Sequence, residues 1–146
     1  MDYNLVKDNP LLKQHVIYCG RHAILRRPEL CANRCVISIS DTVPELIEMQ
    51  ELLTPMHWPS QTHRFLDVEL GEQGAMANTT AASLVQFIED YRDCNFLVHC
   101  FLGASRSAAV AKFIVEYLGL DDSDTANLNH YNKHVYNLLS SVTKVE

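Results

Sequence analysis

The chain has 146 residues, 47% hydrophobic and 21% charged, a length and balance that predict one globular domain over residues 1–146 with a proper buried core. Its formal charge of −6 excludes a general nucleic-acid binder, whose affinity comes mostly from lysines and arginines neutralising phosphates. The first ten residues are polar and charged, and no run approaches the ~18 apolar residues of a membrane span, so the expectation is a soluble, cytoplasmic protein with no membrane partner, a monomer by default.

Residues 15–20 follow a short polar lead and read as a first strand ending on the Gly20 turn. Residues 21–27 suit a short helix stopped by Pro28. Residues 34–40 make a second, β-branched strand closed by the cap-like Ser40-Asp41-Thr42, and residues 44–53 suit a helix. Residues 54–62 carry Pro55, Pro59 and the only tryptophan, Trp58; their composition is that of a loop, and Trp58 is read as a packing anchor. Residues 65–70 alternate, with Leu66, Val68 and Leu70 on one face and Phe65, Asp67 and Glu69 on the other, before Gly71 and Gly74; they are expected to be the third strand.

Asn78-Thr79-Thr80 can cap a helix in which Leu84, Phe87, Ile88 and Tyr91 recur at helical spacing. Residues 96–98 are a short apolar run suited to a buried strand, and residues 108–118 are apolar on almost every face, as in a buried helix. Gly119 marks its end, and residues 121–124 offer caps for one last helix with Leu128, Tyr131, Val135, Leu138, Leu139 and Val142 on one stripe. Strands alternating with helices, without repeat or linker, predict an α/β fold: a central, mostly parallel sheet flanked by helices, with sites at the carboxyl ends of strands.

The densest chemistry follows the fourth strand. His99 and Cys100 lead into Phe101, Leu102, Gly103, Ala104 and Ser105, then into Arg106 and Ser107 at the start of a helix. A loop that feeds a helix N-terminus points backbone N–H groups at one spot and adds the positive end of the helix dipole, a setting that welcomes an anion. Arg106 contributes a planar, permanently charged fork suited to phosphate. The same field favours a thiolate at Cys100, since cysteines in such settings have pKa values lowered to ~3.5 to 7.5. A free cysteine on a core strand is more often merely packed. Here a thiolate beside a phosphate cradle points instead to phosphoryl transfer through cysteine. The five cysteines, an odd count without a secretion signal, suit reduced thiols.

His99-Cys100, five residues, then Arg106-Ser107 resembles the His-Cys-x5-Arg-Ser/Thr signature of the cysteine-dependent protein tyrosine phosphatase superfamily. Gly103 and Ser105 are placed as in its small dual-specificity branch, and the Tyr18-x-Gly20 segment is similar to that branch's beginning. The resemblance implies an α/β sandwich and hydrolysis of phosphate from phosphotyrosine, with phosphoserine and phosphothreonine as further possibilities, in a phosphoprotein substrate. Cys100 would attack phosphorus to form a phosphocysteine that water resolves. Arg106 and the N–H groups of Phe101, Leu102, Gly103, Ala104, Ser105 and Arg106 would hold the equatorial oxygens. His99 would point to the other side of the strand and order the loop, Ser107 would bond the Cys100 sulfur, and no metal or cofactor is needed.

The family's general acid is an Asp just past the third strand. With that strand at residues 65–70, Leu70 takes the expected place, and Asp67 and Glu69 stand as equal candidates, with Glu72 third. The pairs Cys31/Cys35 and His130/His134 lack the further ligands of a metal site; the cysteines are read as ordinary side chains and the histidines as surface residues. Cys94 is a candidate for a protective disulfide with Cys100. Two other functions compete: a catalytically impaired phosphate-binding module, and a phosphatase of a lipid or of an RNA 5′ end. The lysine-free loop speaks against polyphosphorylated ligands.

Overall fold

The computed structural model describes residues 13–68 and 72–143. Strands β1 (Val16–Gly20), β2 (Cys35–Ser40), β3 (Ser60–Arg64) and β4 (Phe96–Cys100) form one sheet in the order β1-β4-β2-β3, every pair parallel. Between and after them run α1 (Arg21–Arg26), α2 (Val43–Leu53), α3 (Asn78–Asp90), α4 (Arg106–Leu118), the single turn α5 (Ser123–Ala126) and α6 (Lys133–Thr143). The expected α/β architecture is therefore present, with a sheet wholly parallel among the described strands.

Period-two alternation divides the core. Cys35, Ile37 and Ile39 of β2 and Phe96, Val98 and Cys100 of β4 face the larger cluster, where Leu84 and Ile88 of α3, Val110 and Ile114 of α4 and Leu139 of α6 cover them. Val36 and Leu97 face the smaller cluster, with Ile24 of α1 and Met49 and Leu53 of α2. Helices on both faces explain why all five residues of β4 are buried and why its sequence shows no polar alternation. Cys31 and Cys35 lie in different clusters, so the pair is split between the two faces of the sheet. Among the described residues no group of three or more His, Cys, Asp or Glu is arranged to hold a metal ion, and no helix is long and apolar enough to cross a membrane.

The third strand is not where the alternation put it. It is Ser60–Arg64, whose first three residues lie in the stretch expected to be loop, whereas residues 65–68 have left the sheet. β3 is an edge strand whose residues are all exposed or half-buried, so it needs no apolar face and displays none. The alternation after it has another cause: Phe65 is buried in the main core, and Leu66 donates its N–H to Gly74 O at 2.7 Å, closing a loop. Gly74 has φ +90°, and a Cβ there would come within 2.6 Å of the Leu66 side chain, so the loop closes on a residue without one.

The C-terminal region also differs from the single helix expected. α5 is capped by Asp122, which accepts from Thr125 N at 3.1 Å, and ends after one turn. Helix resumes only at α6, where Val135 and Leu139 are buried. The interruption is rich in asparagine, a residue that favours turns by bonding its own backbone. Of the other two helix-start expectations, Ser40-Asp41-Thr42 is met by Thr42: its Oγ1 accepts from Glu45 N, and Glu45 Oε1 accepts from Thr42 N, a capping box typically worth about 1 kcal/mol. For α3 the N-cap is Ala77, not the Asn78-Thr79-Thr80 side chains.

Candidate active site

β4 ends at Cys100, in register with Gly20 of β1, and α4 begins at Arg106. The five residues between them wrap against the end of β1. Arg21 N donates to Phe101 O at 3.0 Å, and Gly103, at φ +76°, lies so close to β1 that a Cβ would sit 2.3 Å from Gly20 N. Gly103 is thus required twice, for its backbone angle and for the approach of two main chains.

The loop curls around Cys100 Sγ. Gly103 N donates to Sγ at 3.2 Å, and Ser107 Oγ lies 3.2 Å away, placed to donate to a thiolate. Burial works to raise the Cys100 pKa, but the hydrogen bonds from Ser107 and Gly103, with the charge of Arg106, outweigh it and leave the thiol below its ordinary value. Cys19 shows the opposite balance: burial, then the nearby charge of Cys100, pushes it up to about 11. Cys94 is not a neighbour of Cys100; it interacts with Cys35 at the other end of the sheet, where Cys35 N donates to Asn95 O.

Arg106 is 4% exposed. Its Nη1 donates to Asp41 Oδ1 at 2.6 Å and to Phe65 O at 2.8 Å, while its Nε is buried without a partner. A buried guanidinium N–H left unpaired is costly unless something acidic arrives to take it. Asp41 is held for this pairing by sequence position, one residue before the capping box of α2.

Asp67 lies three residues beyond the end of β3 and accepts hydrogen bonds from Ser105 Oγ at 2.9 Å and Asn132 Nδ2 at 2.8 Å. It lines a cavity of about 340 Å³ together with Cys100, Leu102, Arg106, His130 and Asn132. A thiol of lowered pKa, a guanidinium fork and a carboxyl group therefore meet at the carboxyl end of the sheet. Glu72 is exposed and does not line this cavity, and Glu69 lies outside the described residues. A larger cavity of about 500 Å³, with Lys13, His15 and Arg34 among its lining, opens at the opposite ends of the strands and contains no cysteine.

Of the supporting residues, His99 does point away from Cys100, toward the smaller cluster. It is fully buried, with Nε2 2.6 Å from Ser38 Oγ and Nδ1 3.4 Å from Cys100 O. Burial is the main cause that pushes its pKa down to about 4; the carbonyl of Cys100 opposes this, and the charges of Arg21 and Arg106 add to it. A histidine that titrates at 6.5 when unfolded and near 4 when folded adds stability that is full above pH 6.5 and is lost as the pH falls toward 4. The urea midpoint is therefore predicted to fall across that window, and His99→Gln to flatten the fall; an identical pH dependence in the variant contradicts this.

Asp41 and Asn132 are not among the site residues expected from the sequence, where Asp41 figures only in a helix cap. Asp41 does carry a signal, since it follows a parallel strand at the end where sites form. Asn132 carried only the turn preference of its asparagine-rich stretch. His130 and His134 were read together as surface residues; His130 is exposed at the cavity, but His134 is buried, with Nε2 2.9 Å from Met76 O. Trp58 is half-buried outside the cavity.

No family model matches the sequence, and no curated protein is detectably similar to it. Solved structures are similar in fold. A crystal structure of Tk-PTP in the active form has a TM-score of 0.60 at 13% identity, covering 92% of this chain and 94% of that one. PTPMT1 has a TM-score of 0.59 at 16% identity, covering 90% and 93%, and it has also been crystallised in complex with PI(5)P. The human tyrosine phosphatase-like serine/threonine/tyrosine-interacting protein has a TM-score of 0.53 at 15% identity, covering 89% and 97%. The chain therefore has the fold of these tyrosine phosphatase structures, and it carries His99, Cys100, Arg106 and Ser107 where β4 gives way to α4.

Proposed function

We propose that the protein is a phosphomonoester hydrolase that removes phosphate from phosphotyrosine, and secondarily from phosphoserine and phosphothreonine, in proteins. The observation that carries this is that Arg106, whose buried Nε has no partner, lines the same cavity as Cys100. With Nη1 fixed by Asp41 and Phe65 O, the remaining edge of the fork is free to take two oxygens of a phosphate.

In the first step Cys100 Sγ attacks phosphorus, the bond to the leaving oxygen breaks, and Asp67 gives that oxygen its proton. In the second, water attacks phosphorus while the Asp67 carboxylate takes its proton, and the S–P bond breaks. Sγ leaves as a thiolate that Ser107 and Gly103 N stabilise, and inorganic phosphate departs. Arg106 and the loop N–H groups hold the charge that spreads over the equatorial oxygens.

The cavity lining favours a single phosphate. Among the described residues its one guanidinium is already paired with Asp41, Asp67 adds a further carboxyl, and no lysine lines it, so a polyphosphorylated ligand finds few cations. A second reading, a lipid-borne monophosphate, draws on Leu102, 80% exposed at the cavity rim. The test is phosphate release from a phosphotyrosine peptide, a phosphoserine peptide, PI(5)P and inositol polyphosphates, at mildly acidic and neutral pH. Fastest release from the phosphotyrosine peptide is expected. Preference for PI(5)P replaces the protein substrate with a lipid, and a bound peptide with no release from any substrate makes the protein a phosphate-binding module.

A further inference from the structure

Asn132 ties together three parts of the site. It is 4% exposed, its backbone N donates to Ser105 O at 3.2 Å, and its side-chain Oδ1 accepts from Val135 N at 3.0 Å, capping α6. That last bond fixes the orientation of the amide, because only the oxygen can accept. Nδ2 is therefore the atom that faces the acid, donating to Asp67 Oδ1 at 2.8 Å and to Val68 O at 3.2 Å. Ser105 Oγ gives Asp67 Oδ1 a second donor, and among the described residues no hydrogen bond engages Oδ2.

We propose that Asn132 is the positioning residue of the general acid: it reserves Asp67 Oδ1 as a hydrogen-bond acceptor, so that Oδ2 carries the transferable proton. This rests on the catalytic role given to Asp67 above. The hydroxyl oxygen of a carboxylic acid is a poor acceptor and its carbonyl oxygen a good one, so two donors on Oδ1 direct the proton to Oδ2. Because the same asparagine grips Ser105 O, the acid and the phosphate loop share one frame, and the acid is in place before substrate arrives. Such pre-orientation matters in catalysis, since a misplacement of about 1 Å can cost about 10²-fold in rate.

Asn132→Ser is the first test, because serine caps a helix nearly as well as asparagine but is too short to reach Asp67. Two aryl phosphates are compared, one with a basic phenol that needs a proton to leave and one with an acidic phenol that does not. The variant is expected to slow the first about 10- to 100-fold and the second by less than about threefold, with its melting temperature little changed. Equal slowing of both substrates shows a merely structural role and overturns the proposal, as does no slowing of either. Asp67→Asn is run in parallel. If it shows the leaving-group dependence and Asn132→Ser does not, the proposal falls and the acid stands; if it shows none, the role of Asp67 falls and takes the proposal with it.

Asn132→Asp is the second test and covers a failure of the serine variant to fold. It keeps the capping oxygen but turns a carboxylate toward Asp67, and like charges raise the pKa of the pair. The falling limb of the pH–rate profile, set by the acid losing its proton, is expected to move to higher pH. A limb that stays in place, or that moves to lower pH, overturns the proposal.

Discussion

Cys100→Ser is expected to leave the protein folded and able to bind a phosphotyrosine peptide while phosphate release falls by roughly 10⁴- to 10⁶-fold, the range seen when a covalent nucleophile is removed. The loss is large because the groups that bond the side chain at position 100, Ser107 Oγ and Gly103 N, stabilise an anion but do not take a proton from a hydroxyl. The nearest histidine in sequence, His99, is on the opposite face of β4 and bonded to Ser38, so it cannot act as a base. The loop instead works by making a thiolate cheap: Ser107, Gly103 N and Arg106 lower the Cys100 pKa, and no comparable field brings a serine hydroxyl near neutrality. Folding should survive, since the replacement is one atom, smaller, at a 2% exposed position. Phosphate release, peptide binding by calorimetry and a thermal melt check the three parts. Turnover comparable to that of the unmodified protein rules out a phosphocysteine.

Arg106→Lys is expected to lower kcat by about 10²- to 10³-fold, and Arg106→Ala by more, with peptide affinity lost in the alanine variant. Lysine keeps the charge but has no planar fork: it cannot satisfy Asp41 and Phe65 O with one nitrogen and meet two phosphate oxygens with the others. Alanine goes further, because it leaves the Asp41 carboxylate facing the incoming phosphate without a counter-charge. Stability should suffer less than activity, since the Asp41 side chain is 35% exposed and can rehydrate. Steady-state kinetics beside urea unfolding separate the two effects. A lysine variant as fast as the original shows that charge alone suffices and that the fork is not used.

Where burial is two-sided, the sequence was easy to read. β4 and α4 are apolar because helices or strands surround them, and the loop between them advertised its chemistry through Cys100, Gly103 and Arg106. β3 was hidden for the converse reason. An edge strand of Ser, Gln, Thr, His and Arg has no buried face to announce, while Phe65 and Leu66 are apolar to close a loop. That one displacement also explains the difficulty over the acid. With the strand at 65–70, Asp67 fell inside it; with the strand ending at Arg64, Asp67 lies just past it, where the resemblance places an acid. No pattern marks Asn132, and Asp41 is marked only by its place after a strand, because each matters through one partner distant in sequence, Asp67 and Arg106 respectively.

The strand order has a consequence for how the molecule comes into being. β4 lies between β1 and β2, so the two strands made first have no partner in each other. Until residues 96–100 have been synthesised, both carry unpaired main-chain groups, and Val36, Ile37 and Ile39 have no neighbouring β4 to pack beside. Closing such distant contacts is slow, and intermediates with open edges are prone to associate. Cys100 sits on the very strand that completes the sheet, so the loop after it is expected to take shape in the same event that buries the core, and a partly made chain to hold neither.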